Sequence, residues 1–91
     1  MKTLYTIKIF GKVQGVFFRM ETKEKADELG ITGLVRNEPD NSLFIEAQGE
    51  EKDLKIFIDW CRKGPKHAKV ESLDMEKGIM KEYQSFEITH L

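Results

Sequence analysis

A chain of 91 residues, 40% hydrophobic and 34% charged, has the size and balance of one small globular domain spanning residues 1–91, and this excludes a disordered chain. It contains no apolar run of about 18 residues, as a membrane helix requires, and its one cysteine, Cys61, cannot close an intramolecular disulfide, which points to a reducing, cytoplasmic setting. The net charge of −1 gives no general attraction to nucleic acid or to a membrane surface, and a monomer is the default for so small a domain.

The first residues, MKTLYTIKIFGK, break their apolar pattern with polar ones. A secretory signal would carry a continuous apolar block, so this segment predicts a strand. Tyr5, Ile7 and Ile9 alternate with Thr6, Lys8 and Phe10, which gives the strand one mainly apolar face. GKVQG then interrupts the alternation. From Phe18 the spacing changes: Phe18, Thr22, Ala26 and Leu29 fall on one face of a helix, Glu21 and Lys25 make a favourable i,i+4 pair on the outside, and Gly30 suits the C-terminal cap. ITGLVRN is a short strand with Val35 and Asn37 on one face and Leu34 and Arg36 on the other. EPDNS is a turn, in which Pro39 presets φ and Asp40 or Asn41 supplies a local side-chain hydrogen bond. LFIEAQ alternates again, with Leu43, Ile45 and Ala47 inward, so the two strands form a hairpin.

GEEKDLKIFIDWCRKG is a second helix, with Leu54, Phe57, Ile58 and Cys61 on its apolar stripe, acids at its start and Arg62 and Lys63 at its end. AKVESLDME is a strand with Ala68, Val70 and Ser72 on one face, and SFEITHL a short closing strand. The order β-α-β-β-α-β plus a terminal strand is an α+β, ferredoxin-like split βαβ plan: an antiparallel sheet with two helices on one face. His67 reads as a solvated loop residue, His90 as part of a frayed tail, and Cys61 as a packing residue.

The chemistry concentrates between the first strand and the first helix. Residues 1–19 carry Lys2, Lys8, Lys12 and Arg19 and no acid, while the rest of the chain holds eleven basic and sixteen acidic residues. A local cationic segment on a weakly acidic protein suits a small anion. The first N–H groups of a helix lack intrahelical partners and sit at the positive end of its dipole, so a phosphate can accept from them. Gly15 allows the loop to curl its amides inward, and Arg19 adds a guanidinium matched to two phosphate oxygens. The Gly-Lys-Ser/Thr ending of a nucleotide-binding P-loop is absent, as is any zinc-type Cys/His spacing.

The run Gly11-Lys12-Val13-Gln14-Gly15-Val16-Phe17-Phe18-Arg19 resembles the signature of the acylphosphatases over its full length, and Gly33-Leu34-Val35-Arg36-Asn37 resembles the second element of that family. Leu29-Gly30 and GPKHAKV, residues 64–70, are similar to further family positions. The resemblance implies metal- and cofactor-free hydrolysis of an acyl phosphate to a carboxylate and inorganic phosphate. It implies that Arg19 binds the phosphate, that the amides from Gly15 through Val16, Phe17 and Phe18 to Arg19 cradle it, and that Asn37 orients the attacking water. Two positions depart from the family pattern: Leu34 stands where Trp is usual, on the face away from Asn37, and Asn41 stands where a turn glycine is usual. Asn tolerates positive φ, so the turn survives. An alternative of another class is a non-catalytic binding module for a phosphate-containing ligand or RNA, with Phe10 and Phe44 as exposed sheet aromatics. The RNA-binding signature is absent, and Arg19 and Asn37 together favour the enzyme.

Overall fold

In the computed structural model, which describes residues 1–90, the alternation at the start of the chain becomes β1, Lys2–Lys12. It is followed by α1, Phe18–Leu29; β2, Thr32–Asn37; β3, Leu43–Glu50; α2, Glu51–Lys63; β4, Lys69–Gly78; and β5, Phe86–Ile88. The predicted element order holds. The second helix starts slightly later than expected, because Gly49 and Glu50 extend β3 opposite Thr3 and Lys2. Gly30 closes α1 in the left-handed region, with φ 69°.

The five strands form one sheet in the order β4-β1-β3-β2-β5. Apolar side chains on one face meet both helices: Ile7, Ile9, Val35 and Ile45 from the strands pack with Phe18 and Ala26 of α1 and Leu54, Phe57 and Cys61 of α2. Phe18 meets Trp60 edge-on at 5.8 Å between ring centroids, and Phe57 meets Phe86 at 6.1 Å. Such edge contacts add to the area-based stabilisation of buried aromatics. Burial pushes the Cys61 thiol well above its ordinary pKa, in keeping with a packing role.

Three expectations need correction. The sheet is mixed, because β5 pairs parallel to β2. After β4, at one edge, the chain crosses the sheet face opposite the helices and enters the other edge from the end where β2 begins. Second, Leu73 and not Ser72 follows Val70 onto the core face, because the register shifts between Phe10 and Gly11 and leaves Glu71 without a partner on β1. A bulge of this kind changes which side chains face inward. Third, the ion pairs on α1 are Lys23–Asp27 at 3.2 Å and Lys25–Glu28 at 3.6 Å, and Glu21–Lys25 is not among those of the described residues.

The crossing segment is fastened to the outer sheet face. Gln48 Oε1 accepts from Lys81 N and Gln48 Nε2 donates to Lys81 O, both at 2.8 Å. Lys81 Nζ lies 2.9 Å from both Glu46 carboxylate oxygens, and Tyr83 donates its hydroxyl to the same carboxylate. Burial alone would raise the Glu46 pKa, but the bonds from Lys81 and Tyr83 outweigh it and hold the carboxyl below its usual range.

Candidate active site

β1, β2 and β5 run in the same direction, so their C-terminal ends open at one end of the sheet. There the loop after β1 turns into α1. Val13 and Val16 are buried and anchor the loop, whereas Gly15 and Phe17 face outward. Gly15 has φ 72° and Phe17 φ 61°, both left-handed, with Val16 between them at negative φ. An alternation of left- and right-handed residues can turn successive N–H groups toward a common point, as in an anion nest. No side chain caps the N-terminus of α1, which leaves its first amides open to a ligand. A phenylalanine at positive φ is unusual, and backbone strain of this kind collects at functional sites. Thr22 is fully buried and donates to the Phe18 carbonyl at 2.7 Å, within the first turn of the helix.

The loop borders a cavity of about 330 Å³. Gly15, Phe17, Phe18 and Arg19 line it together with Asn37 from the end of β2. Of the residues expected to hold phosphate, only Val16 is absent from the wall, because its side chain is packed into the core. Among the described residues no Asp or Glu contributes to this wall, and Arg19 brings a positive charge to it. The acid nearest in sequence, Glu38, pairs instead with Arg36 at 2.9 Å.

Asn37 Oδ1 is buried and has no hydrogen-bond partner among the described residues. A buried polar atom left unpaired costs about 1–3 kcal/mol and calls for a reason, such as a water or ligand that completes it.

Sequence reasoning did not put His90 at the site, nor did it give Gln14 a contact beside it. His90, read from the sequence as part of a frayed tail, lines the cavity, with Nδ1 3.4 Å from an Arg19 guanidinium nitrogen. The parallel direction of β5 carries it to this end of the sheet. Gln14 reaches across to the β2–β3 turn and donates to the Glu38 carbonyl at 3.0 Å and the Ser42 carbonyl at 2.9 Å. The only sequence hint of a role was its place inside the glycine-bounded loop. In the turn itself Asp40 accepts from Ser42, and Asn41 adopts φ 71°, as its tolerance of positive φ led us to expect.

The aromatics proposed for RNA are half-buried on the outer sheet face, and each is already covered by a cation. Arg36 lies 4.4 Å from the Phe44 ring centre and Lys8 5.7 Å from that of Phe10.

A family model for acylphosphatase matches residues 5–88. The chain belongs to the acylphosphatase family. It is 45% identical over 83 residues to an acylphosphatase of Marinobacter nauticus, an alignment covering 90% of each chain, and 44% identical over 86 residues to one of Lactiplantibacillus plantarum, covering 93% of this chain and 96% of that one. A solved acylphosphatase from Coxiella burnetii superposes with a TM-score of 0.93 at 34% identity, covering 97% of this chain and 93% of that chain. The expected α+β fold and the expected acylphosphatase enzyme, with an acyl phosphate as substrate and phosphate as product, are therefore borne out. Among the described residues no helix is long and apolar enough to cross a membrane.

Proposed function

We propose that this cavity is where the acylphosphatase reaction occurs, with the phosphoryl group seated on Arg19 and the amides of Gly15, Val16, Phe17 and Phe18, and the attacking water held by Asn37. The buried Asn37 Oδ1, unpartnered among the described residues and belonging to a residue that lines the same cavity as Arg19, carries this reading. A carboxamide both donates and accepts, so it can orient a water, but it is too weak a base to take its proton. The water oxygen bonds to phosphorus as the bond from phosphorus to the carboxyl oxygen breaks, and the carboxylate leaves with the electron pair. A phosphate oxygen of the substrate accepts the water's proton. The mixed anhydride is already activated, so positioning and charge stabilisation suffice without a metal or cofactor.

The same reading takes the chain as one domain, residues 1–91, working as a cytoplasmic monomer without a nucleic-acid or membrane partner. The single sheet and continuous core support the one-domain part of that reading, although Leu91 lies outside the described residues.

Benzoyl phosphate hydrolysis tests the assignment. Asn37→Ala lowers kcat by roughly 10²- to 10³-fold, the cost of losing one preorganised polar group, and leaves inhibition by inorganic phosphate nearly intact. Arg19→Ala damages both, because its bonds act in the ground state and the transition state. Near-normal turnover by a folded Asn37→Ala protein overturns the role of Asn37. For the proton, pH–rate profiles that shift with the phosphate pKa of different substrates support the substrate as base, and a profile fixed across substrates contradicts it.

A further inference from the structure

We infer that Gln14 is a positioning residue that sets the spacing between the phosphate loop and Asn37. This rests on the roles just given to Arg19, the loop amides and Asn37.

Gln14 lies between Val13 and Val16, the two loop residues whose side chains are sunk in the core. Its own side chain leaves the loop and crosses to the hairpin turn. One Nε2 donates to the carbonyls of Glu38 and Ser42, which are 24 and 28 residues away in the chain. Those carbonyls are the two ends of the turn. Glu38 N donates to Ser42 O at 2.9 Å, and Asn41 N donates to Glu38 O at 3.1 Å. Each oxygen therefore accepts two bonds, one closing the turn and one from Gln14, which uses both lone pairs.

Glu38 directly follows Asn37. The core fixes β2 and β3 through Val35 and Leu43, both fully buried, but Asn37 is the last residue of its strand and only partly buried. The loop and the turn are separate segments, and packing of β1 against β3 does not by itself fix the gap between them. The Gln14 carboxamide spans that gap and attaches within one residue of Asn37. A reacting water must sit within a few tenths of an ångström of its attack line, and a displacement of about 1 Å at a site can cost on the order of 10²-fold in rate. A fastening at this point therefore acts on turnover through Asn37 more than on the grip of the loop on phosphate.

A residue that only satisfied two turn carbonyls would contribute stability and nothing specific to Asn37, and a double-mutant cycle separates these roles. Gln14→Met keeps the shape and removes both donors. It lowers kcat for benzoyl phosphate by about tenfold or more, while the inhibition constant of inorganic phosphate stays within about twofold. In the Asn37→Ala protein the same substitution changes kcat by less than about twofold, because the group it positions is gone. Gln14→Asn, which retains a donor on a shorter arm, gives the same pattern at smaller amplitude and serves where the methionine variant does not fold. Three results overturn the inference: unchanged kcat in both single Gln14 variants, an equal loss of phosphate inhibition and turnover, or a full multiplicative loss in the double variant. A normal kcat for Asn37→Ala alone fails the site assignment itself, and the inference falls with it.

Discussion

A methyl group added at Gly15 meets nothing within 4 Å, whereas one added at Gly11 stands 2.1 Å from the Lys69 carbonyl oxygen. Both glycines have positive φ, 72° and 128°. At Gly15 the strain is therefore purely local, about 1–2 kcal/mol for an L-residue held in the left-handed region. At Gly11 the strain combines with a clash against β4 backbone at the bulge. Gly15→Ala should lower stability by about that 1–2 kcal/mol in urea denaturation, and Gly11→Ala by clearly more. Equal losses would contradict the account of the bulge. The same division explains what a single sequence could show. Gly15 and Arg19 were legible because a flexible residue and a cation at a helix start, where the dipole opposes a cation, together call for an anion. Asn37 became legible only through the family resemblance. Gln14 and His90 make their contacts with groups 24 or more residues away, and no local pattern encodes such partners.

The β2–β3 hairpin turn is the element that links Asn37 to the loop, and its stability depends on pH. Ser42 donates to Asp40 from both its hydroxyl and its backbone, and Lys8 lies 3.1 Å from the other carboxylate oxygen. The Ser42 bonds, then Lys8, lower the Asp40 pKa from 3.8 to about 2. The folded value lies below the ordinary one, so on acidification the unfolded chain takes up this proton first. The contribution is complete above the ordinary value of 3.8 and disappears as the pH falls to about 2. Asp40→Asn should lower the urea midpoint at neutral pH, and the gap from the unmutated protein should close through that acidic window. A gap that stays constant with pH would show that the charge on Asp40 is not what stabilises the turn. Pro39, Asp40 and Asn41 made this turn readable in advance, because each has a local conformational reason to be there. The strand after α2 was less readable, since the bulge at Glu71 answers to Gly11 on another strand.

Across the whole molecule, the site exists because three strands deliver their ends to the same place. Alternating residues predicted the strands and the helical stripe predicted the core, since both follow from local periodicity. The direction of β5 does not, and an antiparallel assumption sends His90 to the wrong end of the sheet. That direction depends on the segment that crosses the outer face, fastened by Gln48 and Glu46. Tyr83, held against Glu46, has its hydroxyl pKa pushed up to about 12 by burial and by that bond. Gln48→Ala should speed hydrogen exchange at the Lys81 amide and cost about 1 kcal/mol of stability, since water can partly replace the lost bonds. Unchanged exchange there would show that the crossing segment is held by other means. The central claim is that the protein grips the phosphoryl group and sends water to phosphorus, and turnover of benzoyl phosphate in ¹⁸O-labelled water tests it most directly. The account predicts that the label appears in the inorganic phosphate and that the benzoate stays unlabelled. Label in the benzoate would mean attack at the carbonyl carbon and would contradict it.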